Sequence, residues 1–185
     1  MALLEIKKLG CATLKGLAEP IESVSDDVRQ LVDDMFETMY AAEGIGLAAP
    51  QVGVLERVVV LDVSPSEPGF EPRALINPRV VWSAGEVVGE EGCLSLPGVA
   101  GDVKRAAQVR IEALDRAGEL QTMEFEGIAS RAAQHEIDHL DGLLVIERFS
   151  AIRRNLLRNQ LRKLRREGLK QSLGPVSVTA GALES

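Results

Sequence analysis

The clearest hydrophobic pattern in the chain lies near its start, on one face of a predicted helix. After Ser25, apolar residues recur at steps of three and four, at Val28, Leu31, Val32, Met35, Phe36 and Met39. This spacing predicts an amphipathic helix that buries one face. Ser25 is a suitable N-cap, and Asp26 and Asp27 lie where the helix dipole favours negative charge. Gly44 is expected to end this helix.

The middle of the chain carries the strand patterns. The valine-rich residues 57–63 predict a buried strand, and residues 108–114 and 120–125 flank a turn at 115–118 that predicts a hairpin. Shorter strands are expected at residues 74–76, 79–82, 86–88 and 143–146. Strands in the middle, with helices at both ends and one inside, predict an α+β fold of mainly antiparallel sheets.

Residues 150–170 predict a long basic C-terminal helix. Its apolar stripe is expected to consist of Ile152, Leu156, Leu157, Leu161 and Leu164. The exposed side would carry Arg153, Arg154, Arg158, Arg162, Lys163, Arg165 and Arg166. Residues 171–185 have small side chains and no period, which predicts a flexible tail. We find no internal repeat and no clear boundary, so residues 1–170 are expected to form a single domain.

Composition narrows the class of protein. A chain of 185 residues with 45% hydrophobic and 26% charged residues is typical of a soluble globular protein. A net charge of −7 argues against nucleic-acid binding over the whole surface but allows a local basic patch. Two cysteines do not make a disulfide framework, and no segment is apolar enough to span a bilayer. We therefore expect a cytoplasmic protein that has no membrane partner.

The two histidines of the chain are the main candidates for chemistry. His135 and His139 are four residues apart, and Glu136 directly follows the first. A helix predicted over residues 128–140 would place both imidazoles on one face, where they can hold one metal ion with the glutamate near its open side. Two histidines at this spacing are also common as a surface pair or a core pair, so the motif alone leaves both interpretations open.

The choice of a third ligand separates the candidate functions. A catalytic site of this kind has three protein ligands and a water, so a cysteine or carboxylate must join the histidines. Cys93 is the strongest candidate because Gly92 allows close approach, although Cys93 taken alone would more often be a buried packing residue. Cys11 is assigned to packing. Glu147 or Glu167 in its place would define another HExxH-type metallopeptidase. A non-enzymatic RNA-binding protein with a structural metal would need a fourth ligand, and no convincing one is present.

Three short stretches, taken together, resemble the signature motifs of the peptide deformylase family. They are residues 44–51, Gly-Ile-Gly-Leu-Ala-Ala-Pro-Gln; residues 91–95, Glu-Gly-Cys-Leu-Ser; and residues 134–140, Gln-His-Glu-Ile-Asp-His-Leu. They occur in the order of the family and at roughly its spacing, and the resemblance extends from the first helix to about Ile146. It implies a single catalytic domain over residues 1–170, with the metal-binding helix at its centre.

The resemblance also implies a ligand set and a reaction. Cys93, His135 and His139 would bind one divalent metal, with water as fourth ligand. The family is associated with Fe²⁺, and Zn²⁺, Ni²⁺ or Co²⁺ can substitute. The substrate would be the N-terminal formyl-methionine of a newly synthesised polypeptide, and the product formate. Glu136 would move the proton of water to the departing amine. The Gln51 side-chain amide and the Leu94 backbone N–H would stabilise the negative oxygen.

Substrate and partner contacts follow from the same resemblance. The backbone of Ile45 and Gly46 would bind the peptide like an added strand, and Ile128 and Ala132 would line an apolar pocket for methionine. Asp138 either orients a neighbouring group or is a structural helix residue. The basic C-terminal helix either presents a solvated face or docks on ribosomal RNA, in which case binding would depend on salt.

Overall fold

In the computed structural model, which describes residues 2–172, one helix precedes a series of antiparallel strands and three helices follow it. The helices are α1 (Asp26–Ala41), α2 (Gly127–Leu140), α3 (Ala151–Leu156) and α4 (Arg158–Ser172). The strands are β1 (Gly46–Ala48), β2 (Val58–Leu61), β3 (Arg73–Ala84), β4 (Val87–Gly92), β5 (Ala100–Arg105), β6 (Gln108–Leu114) and β7 (Leu120–Glu126). Three short 3₁₀ turns cover Ala12–Lys15, Ala49–Val52 and Val145–Glu147.

The strands form two separate sheets. Five of them pair antiparallel in the order β1-β2-β3-β6-β7, and β4 and β5 form a two-stranded hairpin of their own. The predicted α+β fold with mainly antiparallel sheets is confirmed. Strand β2 shows why residues 57–63 are so apolar: Val59 and Leu61 face α2, whereas Val58 and Val60 face α1, so both sides are buried.

The predicted N-terminal amphipathic helix is confirmed as α1. The Ser25 hydroxyl accepts a hydrogen bond from the N–H of Val28, as expected of an N-cap. Val32, Met35 and Met39 are fully buried against the sheet. The helix ends at Ala41, and the N–H of Gly44 returns to a carbonyl in its last turn.

Several strand boundaries differ from those predicted. Residues 74–76 and 79–82 belong to one strand, β3, whose register shifts near Asn77, a residue with φ 52°. The Asn77 side chain bonds both backbone groups of Ile21, which stabilises this conformation. The strand predicted at 86–88 extends to Gly92 and pairs with β5, which was not predicted. Residues 143–146 are not a strand, because Val145 and Ile146 pack in the core from a 3₁₀ turn.

The prediction of one long helix over residues 150–170 is wrong in detail. Leu157 separates α3 from α4, and α4 continues to Ser172, so its end passes the predicted boundary. The predicted apolar stripe is also partly wrong, because Ile152 and Leu156 are 76% and 73% exposed. The guanidinium of Arg153 faces the hairpin and donates to the carbonyl of Ala100, so α3 turns its two apolar residues outward.

The predicted C-terminal tail begins within α4, which includes residues 171 and 172. The rest of that tail, residues 173–185, lies outside the described residues. Within residues 2–172, no helix combines the length and the hydropathy that crossing a membrane requires.

Helix α4 packs against the N-terminal segment with no space between the two backbones. A Cβ atom built on Gly168 would lie 2.3 Å from the carbonyl oxygens of both Lys8 and Leu9. The Gln171 side chain accepts from the N–H of Lys8, which adds a polar contact on the same side. A glycine in this helix is therefore required by packing.

We predict that Gly168→Ala destabilises the protein. In an open helix this change would stabilise by about 1 kcal/mol, but here two backbone segments must separate, which typically costs roughly 1–3 kcal/mol. Chemical denaturation measures the change in free energy of unfolding. Lys163→Ala, at an exposed position of the same helix, is the control and should change it by less than about 0.5 kcal/mol. An unchanged or higher stability for Gly168→Ala would contradict this packing.

Candidate metal centre

Helix α2 places His135 and His139 one turn apart on the same face, with ring centroids 5.1 Å apart. Alanines at 129, 132 and 133 favour helix and pack closely against the five-stranded sheet. At the N-terminus of α2, the Glu67 carboxylate accepts a hydrogen bond from the N–H of Ile128 at 2.9 Å. The helix therefore holds both imidazoles at the boundary between the core and the surface.

The thiol of Cys93 reaches these imidazoles from the end of β4. Its Sγ lies 3.2 Å from His139 Nε2, and one donor atom from each of Cys93, His135 and His139 lies within 4.8 Å of the others. One sulfur and two imidazole nitrogens suit zinc, iron, cobalt or nickel. Within residues 2–172, these three residues form the one cluster of potential ligands that meets this distance criterion. The chain thus carries a Cys-His-His metal site.

The carboxylates proposed as an alternative third ligand are engaged elsewhere. Glu147 pairs with Lys15, and Glu167 pairs with Lys8. Neither belongs to the metal cluster. The alternative of another HExxH-type metallopeptidase is therefore not favoured.

Glu136 is a buried carboxylate beside the ligands, only 5% exposed. Its Oε2 atom has no hydrogen-bond partner among the described residues, and a Cβ on Gly46 would lie 2.6 Å from Oε1. Burial raises the pKa of Glu136 to about 7, although the positive charges of His135 and Arg105 oppose the rise. A carboxylate in this environment can both accept and release a proton near neutral pH.

His139 is the more deeply buried of the two histidines. Burial, followed by repulsion from His135 and Arg105, holds the pKa of His139 well below its ordinary value. The ring is therefore neutral, which is the form of imidazole that binds metals.

The Gln51 side-chain amide is oriented by a hydrogen bond from the backbone three residues earlier in the chain. Gln51 lies in the 3₁₀ turn after β1, and its Oε1 accepts a hydrogen bond from the N–H of Ala48 at 2.8 Å. The Nε2 group therefore points towards the ligands, 3.3 Å from Ser95 Oγ and 3.5 Å from Cys93 Sγ. Leu94, which follows Cys93, lines the same cleft.

The structure brings the predicted site residues together around one cleft of about 790 Å³. Its wall includes Ile45, Gly46, Gln51, Cys93, Leu94, Ile128, Ala132, His135 and Glu136. His139 lies directly behind this wall and is buried. Three separate segments of the sequence therefore meet at one concave surface.

Glu91 is a site residue whose role the sequence analysis missed. Its Oε2 lies 3.1 Å from His135 Nδ1, and its two oxygens also accept hydrogen bonds from Arg105 at 2.9 and 3.0 Å. Arg131 of α2 donates to Oε1 at 2.9 Å. Burial alone would raise the pKa of Glu91, but the hydrogen bonds from His135 and Arg105 outweigh it and lower the pKa to about 2.

Asp138 takes part in the same charge network. Its carboxylate accepts hydrogen bonds from Arg105 at 2.6 Å and from Arg148. Arg105 in turn holds Glu91, which contacts His135, so Asp138 is connected to a ligand through two other side chains. Strand β5 buries Gly101, Val103 and Arg105 on one side, so Arg105 faces inward, but of these three residues only Val103 gives an apolar signal in the sequence.

The fold and this donor set define a metalloenzyme whose ligands lie at the base of a peptide-sized cleft. Residues 3–155 match the family model described as Polypeptide deformylase. The chain belongs to the peptide deformylase family.

Known peptide deformylases are similar to this chain in sequence and structure over most of its length. A peptide deformylase from Thermodesulfovibrio yellowstonii is 50% identical over 162 residues, covering 88% of this chain and 98% of that protein. The crystal structure of a peptide deformylase from Legionella pneumophila superposes with a TM-score of 0.82 at 40% identity, covering 94% of this chain and 100% of that one. The crystal structure of a peptide deformylase from Synechococcus elongatus in complex with actinonin superposes with a TM-score of 0.77 at 36% identity. The superposition covers 94% of this chain and 89% of that one.

We predict that Cys93→Ser strongly reduces the metal content of the purified protein. A serine hydroxyl is a poor ligand for a thiolate-preferring ion, and two histidines alone hold it weakly. Elemental analysis of anaerobically purified protein measures the metal-to-protein ratio, expected near one for the wild type. Cys11→Ser is the matched control, because Cys11 lies in a hydrophobic cluster and outside the metal cluster. Full metal content in Cys93→Ser would exclude this thiol as a ligand.

Proposed function

We propose that this protein hydrolyses the formyl amide of N-formylmethionyl peptides and releases formate. The observation that carries the proposal is a single arrangement: a Cys-His-His ligand set, the buried carboxylate of Glu136 and the oriented amide of Gln51 face one cleft. Membership of the peptide deformylase family supports the same reaction.

Glu136 is proposed to carry the proton in this reaction. A divalent cation held by Cys93, His135 and His139 would supply a Lewis acid that polarises the formyl carbonyl and acidifies water. Glu136 accepts the proton of the attacking water and delivers it to the departing amine nitrogen. Its burial against Gly46 and its unpaired Oε2 leave this carboxylate available for both transfers.

Two donors are proposed to stabilise the oxygen that becomes negative. The Gln51 amide is held by Ala48 with its NH₂ group facing the ligands, so no reorganisation is needed when charge develops. The backbone N–H of Leu94 follows the ligand Cys93 and is proposed as the second donor. Loss of one such donor typically lowers the rate by ~10²–10³.

The substrate backbone is proposed to extend the sheet at β1. This strand is at the edge of the five-stranded sheet and within the described residues pairs only with β2, so its other side is open except where the N–H of Ala48 is bonded to Gln51. A peptide adding at Ile45 and Gly46 would place its first residue beside Glu136. Ile128 and Ala132 on α2 then provide apolar surface for the methionine side chain.

Fe²⁺ is proposed as the native metal, with Zn²⁺, Ni²⁺ or Co²⁺ able to substitute. The support for Fe²⁺ is the association of the family with this ion, whereas the donor set of a thiolate and two imidazoles accepts all four ions. Metal availability then decides which ion the protein holds in the cell.

The basic C-terminal helix is proposed to contact ribosomal RNA. Arg162, Lys163, Arg166 and Lys170 line one groove on the outer face of α4. Four cations on one helix face form a local basic patch on a chain whose net charge is −7. The interpretation as a solvated face without a partner is the alternative that experiment must decide.

We predict that Glu136→Gln lowers kcat for formyl-Met-Ala-Ser by ~10²–10⁴, since the proton carrier is lost. Metal content should stay at the wild-type level, because Glu136 is not in the ligand cluster. Formate release measures the rate. Glu124→Gln, at a surface ion pair with Arg110, is the control and should retain full activity. Wild-type kcat in metal-loaded Glu136→Gln would show that another group moves the proton.

We predict that replacing Arg162, Lys163, Arg166 and Lys170 by glutamine weakens binding to purified ribosomes. The slope of log K against log salt should fall by roughly 0.7–0.9 for each phosphate that the variant no longer neutralises. Sedimentation at several salt concentrations gives this slope. The control replaces four exposed arginines on the body, Arg73, Arg79, Arg110 and Arg116. Equal weakening by both sets would mean that α4 is not the docking surface.

A further inference from the structure

The hairpin that carries Cys93 has no strand pairing with the rest of the structure. Strands β4 and β5 pair only with each other within the described residues, whereas both histidines lie on α2. No ladder of backbone hydrogen bonds therefore fixes the distance between Cys93 and the histidines. Side-chain contacts between the hairpin and α2 therefore contribute to it, beside the short links of the hairpin to β3 and β6 and its apolar packing.

Arg131 makes the most extensive of these contacts. It lies one turn before His135 on the same face of α2, and its guanidinium donates to Gly89 O at 2.7 Å and to Val103 O at 3.2 Å. Gly89 and Val103 are opposite each other in the hairpin, so one side chain holds both strands. The same group also donates to Glu91 Oε1. The Arg131 side chain is only 13% exposed, so these bonds are shielded from water.

Gly89 leaves room for this contact. A Cβ atom at this position would lie 3.3 Å from Arg131 Cζ and 3.5 Å from both terminal nitrogens. A Cβ atom on residue 89 would therefore be in tight contact with the guanidinium and displace it by a few tenths of an ångström. Gly89 has no positive φ, so a substitution here acts through space and not through backbone conformation.

Arg105 reaches from the hairpin to the helix, whereas Arg131 reaches from the helix to the hairpin, and this distinguishes their roles. Arg105 belongs to the hairpin and reaches Asp138 on the helix as well as Glu91. If Arg131 were removed, Glu91 would keep its pairing with Arg105, so the Glu91 carboxylate would not be left buried without a cation. The loss would fall on the carbonyls of Gly89 and Val103, and thus on the position of the hairpin.

We propose that Arg131 is a positioning residue that fixes the separation between Cys93 and the two histidines, and thereby sets how long the site retains its metal. Cys93 is the ligand that moves with the hairpin, so a loosened hairpin weakens the sulfur–metal bond first. The inference rests on the proposed ligand set and adds a role for a residue that is not itself a ligand. Partners of metal ligands commonly change metal affinity by about 10–100-fold.

The test uses Co²⁺-loaded full-length protein, because a thiolate bound to cobalt gives an absorption band that reports the Cys93 contact without any activity measurement. Arg131→Met keeps the length of the stem and removes the guanidinium. We expect it to weaken this band and to release Co²⁺ to a chelator about 10–100-fold faster than the wild type. Arg79→Met, at an exposed arginine on the five-stranded sheet, should release Co²⁺ at the wild-type rate.

Gly89→Ala tests the same contact from the hairpin side. We expect faster Co²⁺ release in the wild-type background and a smaller effect in the Arg131→Met background, where the added methyl group has no guanidinium to displace. Such non-additivity is the signature of two residues in direct contact. Arg131→Lys should give an intermediate release rate, since an ammonium can donate to these carbonyls but lacks the planar fork.

The outcomes separate this proposal from the proposed function. If folded Arg131→Met and Gly89→Ala both release Co²⁺ at the wild-type rate, the role of Arg131 is wrong while the metal site stands. If the wild type takes up no Co²⁺, the ligand set and the proposed function fail together. Should Arg131→Met not fold, the release rates of Gly89→Ala and Arg131→Lys decide the question, and wild-type rates in both would overturn the proposal.

Discussion

The buried carboxylate of Glu91 is the interaction on which the site depends. It joins the hairpin that carries Cys93 to the helix that carries His135 and His139 through Arg131 and the His135 ring. It also holds Arg105 of the hairpin, which reaches Asp138 on the helix. A buried charge is tolerable only when its partners remain in place, and removing one partner of a buried pair typically costs about 3–5 kcal/mol. The network therefore favours one position of the β4–β5 hairpin relative to α2, although no strand pairing connects these two elements.

Two carboxylates near the same metal ligands have opposite properties because their surroundings differ. Glu91 is surrounded by cationic donors, which lower its pKa to about 2. Glu136 faces the backbone of Gly46 with an oxygen that no group in the described part of the chain bonds, and burial raises its pKa to about 7. One group remains charged and orients a ligand, whereas the other can exchange a proton. Such a separation of pKa values is how a single site assigns distinct roles to chemically identical groups.

Local patterns in the sequence were sufficient for the parts of the fold that depend on local physics. Periodicity predicted the apolar stripe of α1, the buried valines of β2 and the placement of both histidines on one face of α2. The residue type of Ser25 predicted the N-cap of α1. The family motifs added Gln51, Cys93 and Leu94, which periodicity alone cannot bring to one place. The structure then showed that all of these line or adjoin a single cleft.

The parts that could not be predicted depend on tertiary contacts between charged or exposed groups. Strand β5 has only one large apolar residue facing inward, Val103, and its other inward positions are Gly101 and Arg105, so its alternation was hidden. Arg131 received no role from the sequence, because its contacts with Gly89 and Val103 exist only where the hairpin packs against α2. Ile152 and Leu156 fit an apolar stripe by spacing, but the break at Leu157 turns them to solvent. The spacing of residues in the sequence does not determine which face of one element packs against another.

Anomalous diffraction from crystals of anaerobically purified protein, recorded at the absorption edges of iron, nickel and zinc, would locate and identify the metal. We expect one strong metal peak bonded to Cys93 Sγ and to one nitrogen each of His135 and His139, with His135 Nδ1 still bonded to Glu91. A peak at another place, or a cation bound by the histidines with the Cys93 thiol turned away from it, would contradict a Cys-His-His site.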